Sequence, residues 1–180
     1  MTIICDTDFL SSLLKIERLE LVKHLFKEEN LYIPVAVLGE IAKTDLITDL
    51  LDKNWIKVKR VNYEDLKKME RDEEFKNLGS GEKECLVLCK QFRDSVLLIS
   101  DNKARKIAKA NNIAVFNIPA FLLACKDVGL LSSENIATII QDLKDKDFYE
   151  FSEEEKERLI NTVNKVKPSR TRNRVGREDL

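Results

Sequence analysis

The sequence predicts an α/β fold with a central, mostly parallel sheet, and two observations carry this prediction. Short apolar runs recur along the 180 residues without alternating polar positions, which is typical of strands that are buried on both faces. Helical patterns lie between these runs, and strands that alternate with helices favour a parallel sheet. The five candidate strands cover residues 3–5, 31–33, 55–58, 96–99 and 113–116.

Apolar residues at helical spacing predict the helices that connect these strands. Two short helices are expected within residues 9–26, and another is expected to start at Pro34, whose fixed φ suits the first helical position. The strand at 55–58 contains a lysine, so it is placed near an edge of the sheet. Further helices are predicted over residues 45–53, 63–75, 82–92, 103–111 and 119–128.

A shift in composition follows Gly129. Residues 132–146 form an amphipathic pattern, and Ser152 with Glu155 forms a capping box that predicts the start of a second helix. Six basic residues and no acidic residue lie within 165–177, a pattern that favours contact with phosphates, with a solvated terminus as the alternative. We therefore predict three parts: a main domain over 1–130, a helical extension over 131–165 and a flexible basic tail over 166–180.

The composition excludes several classes of protein. Hydrophobic residues make up 43% of the chain, too many for a disordered one, yet no apolar run approaches the ~20 residues of a membrane helix. The N-terminus lacks the basic start and the cleavage site of a secretion signal, so we expect a cytoplasmic protein without membrane contact. A single His leaves no basis for a His-rich metal cluster or a Ser-His-Asp triad. The four Cys form no CxxC pair and are expected to be buried thiols.

Acidic residues follow two of the predicted strands, at the point where each strand ends. Asp6 and Asp8 come after the first strand, and Asp101 follows the strand at 96–99. The carboxyl ends of parallel strands meet at one edge of the sheet, where ligands gather in open α/β folds. Each of these acids taken alone is also explained as the N-cap of the helix that follows it.

Two glutamates favour a site over simple caps. Glu82 lies within ~60° of the apolar stripe of its predicted helix and is expected to point inward, whereas Glu84 lies farther from the stripe, at a position suited to a solvated flank. A carboxylate that points inward needs a cation or a hydrogen-bond donor. Glu40 follows Gly39 on the helix after Pro34, and Gly39 is expected to let another group approach closely.

Together these segments resemble the PIN-domain family. The resemblance covers roughly residues 1–130, with four motifs in the family's order, and it is closest to the branch with a GExE-type third motif that is related to VapC ribonuclease toxins. The motifs are Ile-Ile-Cys-Asp6-Thr7, Ile33-Pro34-Val-Ala-Val-Leu-Gly-Glu40-Ile, Gly81-Glu82-Lys-Glu-Cys-Leu and Leu-Leu-Ile-Ser-Asp101-Asn-Lys-Ala-Arg105.

The resemblance implies a three-layer α/β/α fold and Mg²⁺- or Mn²⁺-dependent cleavage of RNA, less often of DNA. Hard divalent cations prefer oxygen ligands, which an acidic cluster supplies without any His. Glu84 stays open as a substitute for the third acid of the family's quartet. Carried over by position, the residues that would both bind metal and act in catalysis are Asp6, Glu40, Glu82 and Asp101. Four more residues are candidates for contacting the substrate or supporting the ligands: Thr7, Asp8, Ser100 and Arg105.

The resemblance therefore favours a metal-dependent ribonuclease that is the toxin of a toxin-antitoxin pair. The partners expected on this basis are RNA, a cognate antitoxin and a second copy of the chain. One alternative is a non-catalytic PIN-like module that binds RNA or acts as a scaffold. Another is a haloacid-dehalogenase-like phosphatase with Asp6 as nucleophile and Asp8 as general acid. Against the phosphatase interpretation, Phe9 stands where that class has a small residue. The interpretation also leaves Glu40 and Glu82 unexplained.

Overall fold

Five parallel strands form one sheet in the computed structural model, which describes residues 1–160. The spatial order is β3-β2-β1-β4-β5, and every neighbouring pair is parallel. The prediction of a parallel sheet is confirmed, and so is the edge position of the strand that carries lysines. The strands are β1 (Thr2–Cys5), β2 (Leu31–Pro34), β3 (Ile56–Lys59), β4 (Ser95–Leu98) and β5 (Ala114–Phe116).

Helices cover both faces of this sheet, which gives the three-layer α/β/α architecture that the resemblance implied. The described part of the chain contains ten α-helices and a short 3₁₀ turn at Glu73–Phe75. The α-helices are α1 (Thr7–Lys15), α2 (Glu20–Phe26), α3 (Val35–Ile41), α4 (Ile47–Leu51), α5 (Tyr63–Arg71), α6 (Ser80–Gln91), α7 (Asn102–Ala110), α8 (Ile118–Asp127), α9 (Ser133–Asp147) and α10 (Glu153–Ile160).

The strand order places a topological switch point beside β1. The chain builds outward from β1 through β2 to β3, then returns to the other side of β1 to form β4 and β5. In open parallel sheets, the crevice beyond the carboxyl ends of strands at such a reversal is where ligands bind. Ile3, Ile4 and Cys5 are almost completely buried, so β1 fixes the position of whatever follows it in the chain.

Several helix boundaries differ from prediction, and two of the differences have clear local causes. Pro34 is the last residue of β2 and the N-cap of α3, with ψ 168°, so the helix begins at Val35 rather than at the proline. The helix predicted over 63–75 is interrupted at Asp72, whose backbone is extended and whose side chain accepts a hydrogen bond from the Glu74 N–H at 3.0 Å. Short acidic side chains compete for backbone donors in this way and interrupt helices.

The C-terminal helices pack on the core of the protein. α9 buries Ile136, Ile139 and Leu143 and contacts α1, while α10 buries Leu159 and contacts α8 and α9. The predicted capping box at Ser152 is present, because its hydroxyl accepts a hydrogen bond from the Glu155 N–H at 3.2 Å and its own N–H donates to the Glu155 carboxylate. The division of the chain at residue 130 stays a prediction. The last residues of the predicted extension and the basic tail lie outside the described residues.

The four cysteines are free and buried, in agreement with the prediction of buried thiols. Burial raises the pKa of Cys89 and of Cys125 to about 12, so both stay protonated at neutral pH. As to membranes, no helix within residues 1–160 combines the length and the apolar character needed for a crossing.

Candidate active site

Five carboxylates gather at the carboxyl edge of the sheet. Asp6 directly follows β1, Asp8 lies in the first turn of α1 and Asp101 is the N-cap of α7. α3 and α6 contribute Glu40 and Glu82. These side chains are close enough to repel one another electrostatically: Asp8, Glu82 and Glu40 all raise the pKa of Asp6. Asp101 acts in the same direction on the pKa of Glu82 and of Asp8. The structure therefore brings together all four residues of the expected quartet.

Asp6 is the most unusual of these groups because it is only 3% exposed. Its backbone N–H donates to the Leu98 carbonyl at 3.0 Å, which fixes it beside the end of β4. Its side chain makes no capping hydrogen bond, and no Lys, Arg or His side chain of residues 1–160 forms an ion pair with it. Burial is the main cause that raises the pKa of Asp6 to about 7, and repulsion from the other acids raises it further. A hydrogen bond from the Thr7 N–H acts in the opposite direction and lowers this pKa. Asp6 is thus a buried acid that lacks a compensating charge.

Hydroxyl donors hold the Glu40 carboxylate. The Thr7 hydroxyl donates one hydrogen bond to it, and the Ser80 hydroxyl donates another at 3.2 Å. The close approach depends on Gly81, since a Cβ there would lie 3.0 Å and 3.2 Å from the two Glu40 oxygens and 3.3 Å from the Thr7 hydroxyl. The expectation for Gly39 is wrong, because a Cβ on Gly39 would meet nothing within 4 Å. The glycine that allows a close approach belongs to α6 rather than to α3.

The two glutamates of α6 have different roles. Glu82 is half-buried, and its Oε2 accepts a hydrogen bond from the Gly79 N–H at 2.8 Å, closing the start of the helix. Burial raises the pKa of Glu82 despite this bond, and the neighbouring acids raise it further. Glu84 is also half-buried and accepts a hydrogen bond from the Ala36 N–H at 2.9 Å. The expectation of a solvated Glu84 is wrong because α3 packs against α6 there, and its carboxylate stabilises the N-terminus of α3.

Asp101 does act as a helix cap, in contrast to Asp6. Its Oδ1 accepts a hydrogen bond from the Ala104 N–H at 2.7 Å. Because this bond orients the carboxylate at the end of β4, the cap and a role in the site are compatible. Ser100, the preceding residue, has a buried hydroxyl oxygen with no hydrogen-bond partner within residues 1–160.

The remaining candidates lie at the rim of the cluster. Asp8 reaches solvent, but the surrounding protein removes part of its hydration and raises its pKa, as does repulsion from Asp147. Arg105 donates to the Asn102 side chain rather than to a carboxylate of the quartet. The lysines of α7 at 103, 106 and 109 are exposed.

Sequence reasoning missed two residues near the cluster. Ser80 supports Glu40, and its place in a Gly-Ser-Gly-Glu segment next to Glu82 was an available signal. Asp147 accepts hydrogen bonds from the Ser12 hydroxyl at 2.5 Å and from the Lys15 ammonium at 2.6 Å. No local pattern could have revealed this contact, which joins residues 135 positions apart in the chain.

Within residues 1–160, no three His, Cys, Asp or Glu side chains form a ready group of metal ligands. Glu40, Glu82 and Asp101 each accept a hydrogen bond from a protein group. The chemistry of the cluster nevertheless fits a hard divalent cation, since all of its donors are oxygens and the buried Asp6 has no positive partner. The residues that could hold such a cation are the four acids of the expected quartet.

Fold and site together define an α/β protein with an acidic cluster at the switch point of a parallel sheet. The model of a protein family described as a PIN domain matches residues 2–165. The chain therefore belongs to the PIN-domain family, whose fold is of the nuclease type. This membership supports a hydrolase and an interaction with nucleic acid. A search of curated proteins finds no match to the chain.

Proposed function

We propose that the chain is a Mg²⁺- or Mn²⁺-dependent endoribonuclease and the toxin of a toxin-antitoxin pair. One observation carries the catalytic part: Asp6 is buried at the switch point among three acids that raise its pKa, and no cationic side chain of residues 1–160 compensates it. An ionised carboxylate in such a place is costly for the fold alone. A bound divalent cation would compensate this charge and would give the acidic cluster a role in catalysis.

In this proposal Asp6 and Asp101 are the principal metal ligands, and Glu40 and Glu82 bind the metal directly or through water. A bound Mg²⁺ or Mn²⁺ would supply a water of lowered pKa and would neutralise charge on the scissile phosphate. The protein groups around the ligands orient them. The Thr7 hydroxyl fixes the Glu40 carboxylate and the Ala104 N–H fixes that of Asp101. Asp6 must lose its proton before it binds metal, so its raised pKa in the metal-free protein makes metal binding tighter as the pH rises towards about 7.

The toxin role and the preference for RNA rest on the resemblance of the four motifs to VapC ribonucleases. A cognate antitoxin and a second copy of the chain are the partners proposed on the same basis, and the cytoplasm is the proposed location. The unpartnered Ser100 hydroxyl is buried next to Asp101, so in this proposal it would support the metal ligands rather than contact the substrate.

Removing one proposed ligand tests this function. The purified protein is expected to cleave RNA with Mg²⁺ or Mn²⁺ and to stop when the metal is chelated. Asp101→Asn keeps the helix cap, because Asn caps as well as Asp does, but lowers the cleavage rate by about 10²–10³-fold, the scale of one lost electrostatic contact with a transition state. The measurement is the cleavage rate of a labelled RNA at saturating metal.

Asp127→Asn is the matched control, since Asp127 is exposed on α8. Its cleavage rate should equal that of the unmodified protein. Binding of RNA without cleavage in either metal would contradict the nuclease assignment and support the non-catalytic module.

Gly81→Ala is expected to disturb the site with little effect on stability. The added Cβ displaces the Glu40 carboxylate and the Thr7 hydroxyl, which lie 3.0–3.3 Å from it. We expect metal affinity to fall about 10–100-fold, the scale seen when groups that orient metal ligands are altered. Helix propensity favours Ala over Gly by about 1 kcal/mol, which offsets the crowding in α6. Calorimetric titration with Mn²⁺ measures the change.

Gly39→Ala is the control for this pair of helical glycines. It places a Cβ in open space in α3, so metal affinity should not change. If both variants bind Mn²⁺ equally well, Gly81 has no part in positioning Glu40.

A further inference from the structure

We propose that Phe148 is a platform on which a nucleobase of single-stranded RNA stacks, in a groove that adjoins the acidic cluster. The inference rests on the proposed ribonuclease function and adds the substrate class and the residue that recognises it. Four features carry it: a shared groove, an exposed ring, a fixed position for that ring and the charge around it.

The groove joins the acidic cluster to the end of α9. It has a volume of about 540 Å³ and is open to solvent. Asp8, Ser100 and Asp101 line it together with Phe148 and Tyr149. A substrate whose phosphate lies at Asp101 therefore has Phe148 as a wall of the same groove.

Phe148 is 86% exposed, the largest exposed fraction among the big apolar residues of 1–160. Exposure of an aromatic ring on this scale forgoes the stabilisation that burial would give. The backbone does not favour Phe either, because residue 148 ends α9 with φ 54°, a left-handed conformation that suits Gly or Asn. Neither packing nor backbone conformation accounts for an aromatic ring at this position.

The residues on both sides of Phe148 are anchored, so its position is fixed. Asp147 is bonded to Ser12 and Lys15 of α1. Tyr149 is half-buried, and its ring packs against that of Phe151 with centroids 4.8 Å apart. The backbone N–H groups of Phe148 and Tyr149 both donate to the Leu143 carbonyl. The anchored backbone therefore limits the positions that the Phe148 ring can take, which lowers the entropic cost of stacking a planar partner on it.

The charges of the groove favour a base over a phosphate at Phe148. The four acids Asp8, Asp101, Asp147 and Glu150 line it, and the one cation among its described lining residues, Lys15, is already paired with Asp147. Phosphates are repelled there except where a metal neutralises the acids. The face of a nucleobase is uncharged, and a donor on its polar edge can bond to the Ser11 hydroxyl oxygen. Bases inside a duplex are already stacked on each other, so the ligand is a single strand.

Phe148→Trp provides a direct probe of stacking. The native Trp55 is only 9% exposed, so the unmodified protein serves as the fluorescence control. The variant Phe148→Trp is made in the Asp6→Asn background, so that the RNA is not cleaved during the measurement. Addition of a single-stranded RNA should then quench the fluorescence of the new tryptophan. The same strand annealed to its complement should not. Bound single-stranded RNA without quenching, or equal quenching by the duplex, would overturn the proposal.

Phe148→Ala gives the energetic test. Single-stranded RNA should bind roughly 5- to 150-fold more weakly, which corresponds to the ~1–3 kcal/mol of one base stacked on an aromatic ring. Leu51→Ala, which removes another exposed apolar side chain (69%), should leave binding unchanged. Binding is measured in the Asp6→Asn background, independently of cleavage. The experiment can therefore refute the Phe148 platform without refuting the ribonuclease function, and the reverse. Cleavage by the unmodified protein with unchanged binding in Phe148→Ala refutes the platform alone, and weakened binding without any cleavage refutes the ribonuclease alone.

Discussion

Asp6→Asn is expected to stabilise the metal-free protein while it abolishes metal-dependent cleavage. Asp6 is 3% exposed, and burial raises its pKa from 3.8 to about 7. A shift of this size corresponds to about 4 kcal/mol of cost for the ionised form above pH 7. An amide must also be desolvated, so we expect a net gain of about 1–3 kcal/mol in the free energy of unfolding at pH 8. The loss of a buried anionic ligand should lower cleavage at least about 10²–10³-fold.

Urea denaturation in the presence of a chelator measures the first effect, and RNA cleavage at saturating Mn²⁺ measures the second. Asp101→Ala provides the contrast, because it also removes a proposed ligand but deletes the cap on Ala104. Its stability should fall by about 0.5–2 kcal/mol. An Asp6→Asn protein that is less stable than the unmodified chain would show that Asp6 is compensated within the fold, and the argument for a cation would fail.

The stability of the metal-free protein is expected to decrease as the pH rises from about 4 to about 7. The native state holds the Asp6 proton more tightly than the unfolded chain does, because its pKa is about 7 in the native state against an ordinary value of 3.8. Between these two values the native state binds more protons, so the free energy of unfolding falls as the pH rises, and it levels off above pH 7. Asp8 and Glu82 also have raised pKa values and act in the same direction.

Divalent metal should reverse this trend. Its ligands must be deprotonated, so the rise in melting temperature caused by Mg²⁺ should grow with pH. Thermal denaturation at pH 5 and pH 8, with Mg²⁺ and with chelator, tests both statements. In Asp6→Asn the fall in stability with pH should be smaller. A metal-free protein that is more stable at pH 8 than at pH 5 would contradict the buried-acid account of the site.

The elements of the fold could be read from the sequence where short-range physics decides them. Continuous apolar runs predicted all five strands within one residue at each end, and the capping box at Ser152 marked the start of α10. The interruption at Asp72 was missed because the hydrogen bond from the Glu74 N–H to its side chain depends on local backbone geometry.

The candidate site was predictable in its residue types and its location, since parallel strands deliver their following residues to one edge. Its internal contacts were not. Helical-wheel reasoning placed Glu84 at a position suited to solvent, but α3 packs against α6 there, and the half-buried Glu84 carboxylate accepts a hydrogen bond from the Ala36 N–H. The glycine that permits close approach was expected at Gly39, yet the distance between two helices makes Gly81 the crowded one.

The sequence by itself determined the α/β class, the parallel sheet and the family, because apolar periodicity and the order of short motifs are local properties of the chain. Tertiary structure alone decided the state of the groups within the site. A carboxylate has the same intrinsic pKa at every position, and only burial beside β4 with three acids around it raises that of Asp6 to about 7. The exposure of Phe148 in the groove likewise arises only when α9 is anchored on α1, a contact between distant parts of the chain that no sequence pattern records.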